Sequence, residues 1–146
     1  MKQDAIRVLL VEDNPGDARL VEEGLAEIQS PRFELTHVTR LEEARRSLEK
    51  ERYDAVVLDL LLADSSRLGT LLELPEHASR VPVIVFTGLD DDVLLRYAFG
   101  EGARDYLVKG KVEAEELAAS IEMAISAHGA QSGRTANYTR SWGDGS

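Results

Sequence analysis

Cysteine is absent from the chain. Disulfides, thiolate metal centres and a cysteine nucleophile are therefore excluded, and the composition suits a reducing compartment. No apolar run approaches the length needed to span a bilayer. The N-terminal stretch MKQDAIRVLL has an acidic residue before its apolar run and no small-residue cleavage site, unlike a secretory leader. A cytoplasmic location without a membrane partner is expected. Positive charge is also in short supply: 17 Lys and Arg stand against 27 Asp and Glu, a formal net charge of −10. This balance argues against an electrostatic grip on nucleic acid phosphates or anionic lipid, and makes a cation the favoured small partner.

What is present suffices for one globular domain: 146 residues, 43% hydrophobic and 30% charged. Short runs rich in Val, Ile and Leu alternate five times with longer helical patterns, the signature of a parallel sheet covered on both faces. Strands are expected at 6–11, 33–38, 55–60, 83–87 and 106–108, the second at an edge because polar and apolar residues alternate along it. The first helix follows Asn14-Pro15-Gly16, with Asp17 as its cap and Leu20, Val21, Leu25 and Ile28 on its apolar face. A second turns Leu41, Ala44 and Leu48 inward. A short third lies around 68–74 and ends at Pro75. A fourth, capped by Asp90, runs to about 99, and a last covers 112–127. From Gly129 the sequence GAQSGRTANYTRSWGDGS has no periodicity and reads as a disordered tail or linker, which leaves a domain over 1–128.

Ligands of open parallel sheets bind beyond the C-terminal ends of the strands, at the point where strand order reverses. The first strand ends at Glu12-Asp13, the third at Asp59, the fourth at Thr87 and the fifth at Lys109. Singly, each has a bland reading as a turn residue, an ordinary strand residue or a solvated lysine. Together they bring three carboxylates, a hydroxyl and an ammonium to one rim. Two carboxylates about 4 Å apart repel by about 4 kcal/mol at an effective dielectric near 20, so the cluster calls for a cation among its members. An oxygen-only set without histidine or thiol suits Mg²⁺. A carboxylate flanked in this way can attack a phosphoryl group to give an aspartyl phosphate. Asp59, alone at the end of the central strand, is the candidate; Asp54, at the opposite rim, is excluded by geometry.

These residues resemble the receiver domains of two-component response regulators, over about residues 6–127. VLLVEDN matches the acidic-pair strand, VVLDL the phosphoacceptor strand, VIVFTG the hydroxyl strand and GARDYLVKG the lysine strand. The resemblance implies a doubly wound, five-stranded parallel sheet of order 2-1-3-4-5 in a flavodoxin-like α/β fold with helices on both faces. It implies that Asp59 takes the phosphoryl group from a histidine kinase or a histidine phosphotransfer protein. Asp13 would bind Mg²⁺ directly and Glu12 largely through water, with the backbone carbonyl of Leu61 as a further ligand. Lys109 would pair with the phosphoryl oxygens, Thr87 would swing onto them, and Tyr106 would turn inward as a switch residue. Gly88 would leave room for the incoming group. The change would reach a downstream output domain or protein, or a second copy in a homodimer, through the face made by the fourth helix, fifth strand and last helix, including Arg96. No output segment follows the receiver, so a single-domain regulator or an excised receiver is expected.

The chain also departs from the pattern. Ala63 and Arg67 replace a common proline and glycine after the phosphoacceptor, and Gly110 replaces the usual proline after the lysine. A rearranged loop over 61–67 and a trans peptide after Lys109 are expected, because a non-proline cis bond costs about 2.5–4 kcal/mol. Leu61 and Leu89 flank the site and are expected to screen an acyl phosphate from water. The alternatives are a receiver that no longer takes phosphate, a flavodoxin-like nucleotide binder, and a Mg²⁺-dependent phosphatase. Against the nucleotide binder, Glu12-Asp13-Asn14 would repel a phosphate. Against an enzyme of the haloacid-dehalogenase type, Leu61 stands where a second aspartate is needed, so turnover on outside substrates is not expected. His37, His77 and His128 show no metal-site spacing and read as surface residues, and Trp142 as an exposed tail residue.

Overall fold

A computed structural model describes residues 5–62 and 81–133. The loop and short helix expected between 63 and 80, His77 and Trp142 lie outside the described residues. Five strands, β1 (Ile6–Val11), β2 (Phe33–Val38), β3 (Ala55–Leu58), β4 (Val83–Thr87) and β5 (Asp105–Val108), form one sheet in the order β2-β1-β3-β4-β5. All four pairings are parallel. Four helices accompany them among the described residues: α1 (Pro15–Ala26), α2 (Leu41–Lys50), α3 (Asp92–Gly100) and α4 (Ala114–Gly133).

The two-residue period of the strands splits the core into two layers. Val8, Leu10, Ala55, Val57 and Ile84 face one way and pack with Ala18, Val21 and Leu25 of α1 and with Leu117, Ala118, Ile121 and Ala124 of α4. Leu9, Val11, Val56, Leu58, Val83 and Val85 face the other way, against Leu41 and Ala44 of α2 and Leu94 and Ala98 of α3. The central strand β3 is buried along its whole length, as a strand covered on both faces must be. This two-sided burial fixes strand register, and register decides which residues emerge at the rim.

Several expectations about the helices need correction. Asn14, not Asp17, caps α1: its Oδ1 accepts the Asp17 backbone N–H at 2.9 Å, and Pro15 opens the first turn. Asp91, not Asp90, caps α3, accepting from the backbone N–H groups of Val93 and Leu94. Leu20 is not on the packed face of α1 but 70% exposed, because Ala18, Val21 and Leu25 already fill the i, i+3, i+7 stripe. The last helix continues past 127 to Gly133. At the rim opposite the site, Asp54 accepts the backbone N–H of Arg7 at 2.8 Å, while the Arg7 guanidinium bonds Glu51 and the Arg52 carbonyl. Asp54 thus closes the start of β1 and β3.

Helices α1 and α4 meet at Gly24. A Cβ there would stand 2.7 Å from the Cβ of Ala114, closer than two carbons can approach, so glycine permits the contact. Gly24→Ala should therefore destabilise the fold by about 1 kcal/mol in urea unfolding: overpacking of roughly 1–3 kcal/mol outweighs the helix-propensity gain of about 1 kcal/mol. Adding Ala114→Gly should restore the wild-type midpoint. Stabilisation by Gly24→Ala alone would place the helices farther apart.

Candidate functional site

The acidic residues arrive at one place for a local reason on each strand. Hydrogen bonds from Glu12 N–H to the Val38 carbonyl and from Asp59 N–H to the Val11 carbonyl, both 3.0 Å, carry the ladder just past the ends of β1 and β3. The residues following two adjacent central strands therefore stand side by side. Oxygen atoms of Glu12, Asp13 and Asp59 all lie within 4.8 Å of one another. Glu12 and Asp59 are buried, Asp59 being 4% exposed.

Lys109 reaches this group from the turn after β5, where its backbone N–H bonds the Thr87 carbonyl at 2.8 Å. Its Nζ lies 2.6 Å from Glu12 Oε1, 2.8 Å from Asp17 Oδ2 and 3.1 Å from Asp59 Oδ2. The three donors of an ammonium thus have three carboxylate acceptors. The other oxygen of Asp59 accepts the Leu61 backbone N–H at 3.2 Å. Asp17 was not among the expected site residues. The signal for it lay in Asn14-Pro15, which places the cap at 14 and leaves the Asp17 carboxylate available to Lys109.

Burial pushes the Glu12 carboxyl up to about 7; the hydrogen bond from Lys109 opposes this and the negative charge of Asp59 adds to it. Burial disfavours the Lys109 ammonium, but hydrogen bonds to Asp17 and Glu12 and the charge of Asp59 prevail and raise its pKa above the ordinary lysine value. Lys109 therefore remains charged at neutral pH and offsets part of the repulsion.

Thr87 is fully buried at the end of β4, and its Oγ1 has no hydrogen-bond partner among the described residues. Such a hydroxyl costs about 1–3 kcal/mol unless an acceptor arrives. Tyr106 is buried with its ring inward, and its OH donates to the Leu89 carbonyl at 2.6 Å. Burial, together with Asp91, Asp90 and Asp59, raises its pKa, so the phenol keeps its proton and can donate. Leu89 is partly buried against the same layer, whereas Leu61 is 43% exposed. A Cβ at Gly88 would meet nothing within 4 Å, leaving open space beside Thr87. The Lys109–Gly110 peptide is trans, and Gly110 takes φ +85°, a left-handed conformation that favours glycine. The expected loop over 61–67 is described only to Leu62.

His37 departs from the surface role expected of it. Its partly buried ring donates through Nε2 to the Glu12 carbonyl at 2.7 Å, which fixes the tautomer and ties the edge strand to the acidic turn. His128 lies at the far end of α4, where its Nδ1 is 3.3 Å from the Arg104 guanidinium.

An open, doubly wound sheet with an acidic crevice at its reversal point, between β1 and β3, defines a flavodoxin-like α/β domain. Within that class the chain belongs to the response regulator receiver domain family, whose model matches residues 8–122. Among curated relatives, the methanogenesis regulatory protein FilR1 of Methanothrix harundinacea is 35% identical over 83% of this chain and 28% of its own length. The transcriptional regulatory protein BasR of Escherichia coli is 32% identical over 86% of this chain and 55% of its own. The chain therefore spans between about a quarter and a little over half of these relatives. Among solved structures, the signal receiver domain assigned to a Luxo repressor protein of Vibrio parahaemolyticus superposes with a TM-score of 0.76 at 25% identity, covering 88% of this chain and 96% of that one. The receiver domain of the sensor histidine kinase PA1611 of Pseudomonas aeruginosa has a TM-score of 0.70 at 30% identity, covering 84% and 99%; that protein holds a magnesium ion in its active-site cleft. No helix among the described residues is long and apolar enough to cross a membrane.

The bond from His37 yields a test of how the acidic turn is held. His37→Leu leaves the carbonyl of a buried residue without its donor and should lower stability by about 1–2 kcal/mol in urea unfolding. The largest amide shifts in ¹H–¹⁵N spectra should fall on Glu12 to Asn14. Shifts confined to β2 would mean that the ring does not restrain the turn.

Proposed function

We propose that this domain is a phosphorylation-dependent switch in which Asp59 accepts a phosphoryl group from the phosphohistidine of a histidine kinase or a histidine phosphotransfer protein. The observation that carries this reading is the setting of Asp59: buried, clustered with Glu12 and Asp13, and 3.1 Å from the Lys109 ammonium. In the transfer, an oxygen of Asp59 forms a bond to phosphorus while the bond from phosphorus to the donor nitrogen breaks, and the imidazole leaves with that electron pair. No redox partner is required.

The residues fit a Mg²⁺ ion. The donors are carboxylate oxygens gathered in one cluster, the hard oxygen ligands that Mg²⁺ takes, with water completing its shell. Asp13, Glu12, Asp59 and the Leu61 carbonyl would hold it. When bound, it would neutralise charge on the phosphoryl and carboxylate oxygens. The remaining work falls to side chains of this chain. Lys109 supplies a fixed positive charge, and the Leu61 N–H orients the Asp59 carboxylate. Thr87 supplies a hydroxyl whose unmet bond a phosphoryl oxygen would satisfy.

The reading extends to output. A bond from Thr87 to the phosphoryl group would draw on the segment that carries Leu89, and Leu89 is tied to Tyr106. The face formed by α3, β5 and α4, including the exposed Arg96, would then differ between the two states and engage an output partner or a second copy. Two charge-assisted bonds contribute about 1.5–3 kcal/mol each, whereas moving an equilibrium from 1:99 to 99:1 takes about 5.5 kcal/mol. A graded population shift is the expected response, and the domain is a signalling switch without turnover on outside substrates.

Incubation with Mg²⁺ and acetyl phosphate should give one labile phosphoryl adduct by intact-protein mass. No adduct should form when Mg²⁺ is chelated before the donor is added, or in Asp59→Asn; its absence from wild type under all conditions would leave a binding module that does not take phosphate. The flanking leucines set the lifetime of the mark. Leu61→Asn should bring water to the acyl phosphate and speed its hydrolysis by about tenfold, a change of about 1.4 kcal/mol in barrier. An unchanged decay rate would remove Leu61 from that role.

A further inference from the structure

We propose that Asp17 is a positioning residue that restrains the site: it holds Lys109 toward α1 and thereby slows capture of a phosphoryl group at Asp59. This inference rests on the phosphoacceptor reading above. Three observations carry it. Asp17 has no role in capping α1, since Asn14 performs it. Its Oδ2 instead accepts from Lys109 Nζ at 2.8 Å, across 92 residues of sequence, a shorter contact than the 3.1 Å from Nζ to Asp59. The third donor of the ammonium goes to Glu12 at 2.6 Å, so a phosphoryl oxygen can gain Lys109 only by displacing an acceptor already bonded to it.

Of the three acceptors, Asp17 is the one whose release costs least. Its side chain is 39% exposed, against 2% for Glu12 and 4% for Asp59, so water can solvate it once Lys109 departs. Its carboxylate also adds negative charge at the mouth of the site, where phosphodonors arrive as anions. Both effects oppose the forward reaction, and both act without contact between Asp17 and the reacting atoms. A groove of about 830 Å³ between α1 and the start of α4 is lined by Asp17 and Lys109 together. A partner seated there would meet the same ion pair.

The test is the second-order rate of adduct formation from acetyl phosphate with Mg²⁺, followed by intact mass. In each transfer an Asp59 oxygen bonds phosphorus and acetate leaves with the electrons of the broken P–O bond. Asp17→Asn is expected to raise the rate about three- to tenfold, Asp17→Ser to do likewise, and Asp17→Glu to remain near wild type. In a Lys109→Gln background the acceleration should shrink to the small part that comes from the Asp17 charge alone, because the larger part acts through the ammonium. Equal rates for wild type, Asp17→Asn and Asp17→Ser, all folded by urea unfolding, would overturn the proposal. So would an acceleration that persists undiminished without Lys109, since that would be a field effect alone. Absence of any adduct on wild type would overturn the phosphoacceptor reading and this inference with it, whereas an adduct with unchanged rates in the variants would overturn this inference alone.

Discussion

The structure is organised around one ammonium in a nest of carboxylates. Lys109 joins the turn after β5 to the end of β1, the end of β3 and the first turn of α1 through three contacts of 2.6–3.1 Å. It does so in a place where removing charge from water is costly, so its worth depends on having all its partners present. Replacing a buried ion pair by apolar side chains often stabilises a protein, and an arrangement with several carboxylates around one lysine is therefore a poor device for stability. Its position at the switch point of the sheet accords with the chemistry proposed for it rather than with a stabilising role.

That cost is borne by the two apolar layers. Leu9, Val11, Val56 and Leu58 on one face, and Val8, Leu10, Ala55 and Val57 on the other, leave β1 and β3 almost without exposed surface. Each fully buried Val or Leu contributes about 1.5–3 kcal/mol relative to exposure, which offsets a raised Glu12 pKa and a Thr87 hydroxyl without a partner among the described residues. The same packing explains how precise the rim is. A slip of one residue in β1 or β3 would turn its inward set to the other face, so register is held by two layers at once and the carboxylates that follow the strands inherit that precision.

Much of this was legible in the sequence because it rests on local periodicity. Five apolar runs gave the strands, and the polar residues at or just past the ends of four of them, Glu12-Asp13, Asp59, Thr87 and Lys109, gave the rim. What was not legible depended on choices between neighbours or on distant contacts. Asn14 and Asp17 are both capable caps, and only the weight given to Pro15 decides between them; Asp90 and Asp91 pose the same difficulty within an acidic run. Leu20 has the spacing of a packed residue, yet the face it would fill is already taken by Val21 and Leu25. His37 carries no local sign of its bond, since the acceptor lies 25 residues away. The reach of α4 to Gly133 was hidden because Gly129, Ser132 and Gly133 lower helix propensity without forbidding a helix that begins well packed.

The unequal treatment of two hydroxyls ties the structure to the proposed switch. Tyr106 OH is bonded to the Leu89 carbonyl, while Thr87 Oγ1, two residues before Leu89, is buried without a partner among the described residues. One hydroxyl at this end of β4 and β5 thus has a protein acceptor, and the other has none among the described residues. Under the proposed function, an acceptor arriving on Asp59 would offer Thr87 the bond that no described residue supplies. The segment between them, Gly88, has open space around it and can absorb the movement. The differential free energy of such a switch would thus arise at Thr87 and be conveyed through the short path to Leu89 and Tyr106, with β4 and β5 held in register beneath it.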